Sequence, residues 1–87
     1  MSFKKLRGVD LPEEKQGLIR YTCLNYRDLS TRTQEKIRRL CQEHGGSYGA
    51  ALWEVMCTRE SIVSISMRHH VSESLLYEMR RLFYENW

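Results

Sequence analysis

The 87 residues predict an all-α fold, a compact bundle of about five helices, and three observations carry that prediction. Apolar residues recur at three- and four-residue intervals along most of the chain, the spacing that lines one face of an α-helix. Serine, threonine and proline stand just ahead of these periodic stretches, and a double glycine, Gly45 and Gly46, follows one of them, as helix starts and stops require. Sustained apolar-polar alternation is missing. Ile62 to Ser66 alternates, but the residues after it continue at helical spacing. The length supports one domain with one modest core, and 41% apolar with 29% charged residues is the composition of a folded soluble chain.

Residues 1–9 show no periodicity and carry Lys4, Lys5 and Arg7, so a flexible basic arm is expected ahead of a single helical domain over residues 10–87. The first helix is expected to begin near Asp10, Leu11 and Pro12: Asp10 can cap it, Pro12 suits a first turn, and Glu13 and Glu14 complement the helix dipole. Leu18, Ile19, Cys23 (or Thr22) and Tyr26 would form its inner face. Ser30 or Thr31 can cap a second helix, with Thr33, Ile37, Leu40, Cys41 and His44 turned inward and Arg32, Lys36 and Arg39 outward. Gly45 and Gly46 should end it, and Ser47 is the expected cap of a third helix over Tyr48 to Cys57, packed through Ala51, Leu52, Val55 and Met56. The small residues Gly49, Ala50 and Ala51 would let another helix come close. After a break at Thr58, a fourth helix is predicted over Glu60 to about His69 and a fifth from Ser72 almost to the end.

The last two helices hold the most informative stretch, Ile62 to Arg81, which reads IVSISMRHHVSESLLYEMRR. Ile62, Ile65 and His69 would face the core, with Ser66 as the small residue that allows a close crossing. Val71 follows the turn, Ser72 caps the next helix, and Leu76, Met79 and Phe83 extend a buried stripe. This stretch resembles the helix-turn-helix of many bacterial and phage repressors, resolvases and small regulators, in which the pattern Ile-Ala-x-x-x-Gly-Val-Ser-x-x-Thr-Val-Tyr is frequent. The likeness spans residues 60–84 or so. The rest of the chain looks similar to small regulatory proteins carried by phages and integrated elements. His70 departs from the pattern, standing where glycine is common, and must accept a left-handed backbone.

The resemblance implies that the fifth helix lies in the major groove of duplex DNA. The candidate contacts are then Ser72, Glu73, Ser74 and Tyr77 in its first turns and Arg80 and Arg81 further along. This set is poor in cations, and Glu78 is placed to pair with Arg81. Phosphate charge must therefore be met from elsewhere, namely Arg32, Lys36 and Arg39 on the second helix and Lys4, Lys5 and Arg7 on the arm. The charge distribution agrees: residues 1–40 hold ten Lys and Arg against five Asp and Glu, whereas residues 41–87 hold four against six, so the basic half is not the half with the motif. A rival expectation follows from the same asymmetry, in which the helix-turn-helix scaffold and the aromatic C-terminal helix bind another protein.

Other chemistries find little support in the residues. Cys23, Cys41 and Cys57 are odd in number and lie in helical apolar patterns, which predicts reduced buried thiols. A metal site from Cys41 and His44 with Cys23 or Cys57 lacks the short paired spacings of structural zinc. No nucleophile-base pattern stands out, and HGGSYG lacks the lysine of a phosphate-binding loop, so neither an enzyme nor a cofactor or small-molecule ligand is expected. No stretch has the length and apolarity of a membrane span, and the first ten residues lack the apolar run of a secretory signal, so a cytoplasmic protein is expected. Tyr84 and Trp87, at the aromatic end, are candidates for a homodimer contact that would match a palindromic site.

Overall fold

A computed structural model describes Leu6 and residues 8–87. The described residues form only helices and turns: α1 (Glu13–Leu24), a 3-10 turn (Tyr26–Asp28), α2 (Thr31–Gly45), a second 3-10 turn (Gly46–Tyr48), α3 (Gly49–Cys57), α4 (Ile62–His69) and α5 (Glu73–Glu85). The central element is α3, which packs against α1, α2, α4 and α5. Its sequence explains the position. Ala51, Leu52, Val55 and Met56 are all buried, and the small residues at its start leave room for α2. A Cβ on Gly49 would lie 3.3 Å from the Cys41 carbonyl oxygen, a tight contact that glycine avoids where α2 comes close.

Three serine caps form, Ser30 and Ser72 as expected and Ser61 ahead of a fourth helix that begins at Ile62 rather than at Glu60. Ser30, Ser61 and Ser72 each accept a hydrogen bond from the backbone N–H three residues on, Thr33, Ser64 and Leu75, satisfying a donor that the first helical turn leaves free. Two expected caps do not form. Asp10 lies outside α1, where its N–H donates to Glu85, and the helix instead begins after Pro12 without a side-chain cap. Ser47 lies within the 3-10 turn that carries the chain straight into α3, so Tyr48 precedes α3 uncapped.

The inner face of α1 is also rotated from expectation. Ile19 and Cys23 are buried, but Leu18 is 66% exposed and Tyr26 falls in the following turn, where its ring meets Trp53 edge-on. Gln16 is buried on the same face of the helix as Ile19 and Cys23. Its side-chain amide accepts from the Leu6 N–H and donates to the Val9 and Leu11 carbonyls, tying the segment before α1 across the helix. A buried amide with all its partners is stable, whereas the same group unpaired is costly. Leu6 and Val9, expected in a mobile arm, accordingly pack on the core. Lys4, Lys5 and Arg7 lie outside the described residues.

Arg20 supplies a second long-range tie. Its guanidinium donates to the carbonyls of Val55 (2.6 Å), Met56 (2.7 Å) and Thr58 (2.9 Å), closing the end of α3, where helical carbonyls lack partners of their own. The cysteines are free thiols, Cys23 and Cys41 buried and Cys57 half-buried. A hydrogen bond to Cys23, then burial, pushes the Cys57 thiol pKa up, and burial pushes Cys41 up to about 12.

Candidate nucleic-acid interface

The turn between α4 and α5 is built around Ser66. Its carbonyl accepts the N–H groups of both His70 and Val71, the latter at 3.1 Å, and its hydroxyl donates to the Val71 carbonyl at 2.5 Å. The bond from Val71 back to Ser66 is the six-residue closure of a Schellman ending, which requires a left-handed residue between. His70 is that residue, at φ 53° and ψ 45°. Val71 is then buried, Ser72 caps α5, and Leu76, Met79 and Phe83 enter the core beside Ile65. Ile62 and His69 are half-buried.

His69 is anchored by a network that local sequence patterns did not signal. Glu54, on α3, pairs through one carboxylate oxygen with His69 Nε2 and through the other with Arg68, which also pairs with Glu60. The hydrogen bond from Arg68 holds the Glu60 carboxyl below its usual range. The network fastens the C-terminal end of α4 to α3 and ties the segment before α4 to that same end. The paired residues are eight to fifteen apart, and Glu54 meets Arg68 and His69 only because α3 and α4 pack together.

The predicted groove-reading residues divide into two groups. Glu73, Ser74 and Tyr77 are exposed on the first turns of α5, with Ser72 engaged as the cap. Arg80 and Arg81 are occupied within the molecule. Arg81 donates to Glu85 at 2.7 Å and to both oxygens of Glu78, the local pair that their spacing predicts. Arg80 is half-buried, with its guanidinium carbon 4.9 Å from the Tyr77 ring centroid and its Nε buried without an acceptor among the described residues. Burial, reinforced by the charge of Arg20, lowers its pKa.

Arg32, Lys36 and Arg39 do come together. With Thr33 and Trp87 they line a cleft of about 540 Å³. The Lys36 ammonium lies 4.1 Å from the Trp87 ring centroid, and Trp87 in turn packs on buried Phe83, with ring centroids 6.0 Å apart. Arg39 is 3.8 Å from Glu43, and both side chains are largely exposed. The cleft adjoins the C-terminal end of α5. Ser74 lies near the other end, ~20 Å away by the helical rise of 1.5 Å per residue.

Of the aromatic pair expected at a subunit contact, Tyr84 is 2% exposed and belongs to the core, which leaves Trp87 half-buried at the surface. Apolar surface is exposed instead at Val63, Met67, Leu75 and Tyr77 on α4 and α5, and at Leu18 on α1. Among the described residues no helix is long and apolar enough to cross a membrane. No family model, curated protein or solved structure matches this chain.

Proposed function

We propose that the chain is a sequence-specific DNA-binding protein in which α4 and α5 form a helix-turn-helix, acting in transcription control or another phage or mobile-element DNA transaction. The observation that carries this reading is the Ser66–His70–Val71–Ser72 turn. A left-handed residue, a buried valine, a capping serine and a serine that closes the turn occur together, leaving the first turns of α5 outward with Glu73, Ser74 and Tyr77 on them. In this reading Ser74 and Tyr77 meet base edges or phosphates, and Glu73 accepts from a cytosine amine. Backbone charge is met by Arg32, Lys36 and Arg39, with Lys4, Lys5 and Arg7 adding to it. The molecule measures 30 × 29 × 21 Å, less than the ~34 Å of one DNA turn, so a homodimer on two half-sites would extend the contact.

A second reading, a protein-interaction module on the same scaffold, is favoured by one specific observation. Arg81 is already neutralised by carboxylates, while Val63, Met67, Leu75 and Tyr77 present apolar surface nearby in sequence. Selection of bound sequences from a random duplex library separates the two. The DNA reading expects a recurrent motif that is lost in a folded Tyr77→Ala protein. Recovery of no motif, with the wild-type protein folded, supports the protein-interaction reading.

A further inference from the structure

We propose that the cleft between α2 and Trp87 is a binding site for paired phosphates, whether two consecutive phosphates of a nucleic-acid strand or the phosphate chain of a free nucleotide. The assignment deepens the DNA reading, on which it rests only for the first of these occupants.

Three observations converge on it. First, Arg32, Lys36 and Arg39 line one concavity without an aspartate or glutamate side chain in its lining. Arg68 and Arg81, by contrast, each pair with two glutamates. Arg32 forms no ion pair with a described residue, and Arg39 is only 3.8 Å from an exposed Glu43 that can swing away. Like charges held together in this way repel one another, and an anion seated among them relieves that repulsion.

Second, the cleft is prearranged. Lys36 is held over Trp87, and Trp87 is backed by buried Phe83, so one wall and one ammonium are in place before any ligand arrives. A prearranged charge loses less side-chain entropy on binding than a freely moving one. Third, the dimensions suit more than one phosphate. Arg32 and Arg39 are separated by ~10 Å along α2, from the rise of 1.5 Å per residue. Their planar forks can each grip one phosphate in bidentate fashion while Lys36 lies between. A cleft of about 540 Å³ also has room for a phosphate chain with part of a nucleoside.

The chain contains two tryptophans, so the indole N–H signals in a proton-nitrogen NMR spectrum report on the cleft with an internal control. Trp87 lines it, whereas Trp53 packs against Tyr26. The full chain is titrated with inorganic pyrophosphate, with a nucleoside triphosphate and with duplex DNA, each against chloride at matched ionic strength. The expected result is a saturable movement of the Trp87 signal while Trp53 stays put, abolished in Arg32→Gln/Arg39→Gln. In that variant the salt dependence of DNA binding should weaken by about two in log-log slope.

Movement with pyrophosphate or nucleotide but not with DNA supports the cleft as a free-phosphate site and removes it from the DNA interface. If Trp87 responds to none of the three more than to chloride, the cleft assignment is overturned. The DNA reading survives that result only if the Ser74 and Tyr77 amide signals respond to duplex DNA.

Discussion

Replacing His70 by glycine should stabilise the protein, although the substitution deletes a whole side chain. His70 has φ 53° and ψ 45°, and its side chain is exposed. A left-handed backbone costs a non-glycine residue ~1–2 kcal/mol, and glycine, free of that cost, loses an extra ~0.5–1 kcal/mol of chain entropy on folding. The difference favours His70→Gly by ~0.5–1 kcal/mol, which for a domain of this size raises the midpoint of thermal unfolding by ~2–8 °C. His70→Ala is the control, because it also removes the imidazole but keeps the Cβ that a left-handed backbone disfavours. Circular dichroism melts and urea titrations of the three proteins give the order expected: glycine above wild type, and alanine at or below it. If glycine proves no more stable than alanine, the turn does not place residue 70 in the left-handed region. The Schellman closure that joins α4 to α5 is then wrong.

The remaining predictions concern the cap, the buried acids and the guarded arginine. Ser72→Ala removes the acceptor for the Leu75 N–H and should cost ~1 kcal/mol in urea unfolding, with the helical dichroism of the folded protein preserved. Burial pushes the Tyr84 hydroxyl up to about 12 from 10.0 and the Cys41 thiol up to about 12 from 9.0, so the folded state keeps protons that the unfolded chain releases. That contribution to stability is complete below pH 9 and is lost as the pH rises towards 12. Tyr84→Phe should flatten the loss above pH 10, which for the tyrosine amounts to roughly 2–3 kcal/mol, as read by urea unfolding across the range. Glu78→Gln/Glu85→Gln removes the carboxylates that hold Arg81. Duplex DNA should then bind more tightly and with a salt slope steeper by about one, as one added phosphate contact requires; unchanged binding would show that Arg81 cannot turn outward.

Much of the fold was legible because it is local. Ser30 and Ser72 stand immediately before their helices, and the inner positions of α3 and α5 follow the helical period. What escaped was set by contacts across the chain. Leu18 has the hydropathy of a core residue, but the buried face of α1 runs through Gln16, Ile19 and Cys23, with Gln16 bound to the segment before the helix, and Leu18 lies outside it. Arg20 carries no local sign that it will close α3, and Glu54 none that it will grip α4. At the candidate interface, the stripe Arg32, Lys36 and Arg39 could be read from helical spacing, whereas its meeting with Trp87 could not. Arg80 illustrates the same limit. The resemblance made it a candidate groove contact, but it is half-buried, within reach of the charge of Arg20 on α1.

The central claim is that this chain grips duplex DNA through the charges of α2 and the exposed turns of α5, and the salt dependence of binding tests it most directly. Fluorescence anisotropy of the full chain with a labelled pool of short random duplexes gives the dissociation constant across a salt series. If Arg32, Lys36 and Arg39 each neutralise one phosphate, they contribute about −2.7 to the log-log slope, a loss of roughly forty-fold in affinity between ~50 and ~200 mM salt, and each contact from Lys4, Lys5 or Arg7 steepens it by about one more. A slope near zero, or no binding at the lowest salt by a protein whose circular dichroism shows it folded, would contradict the account.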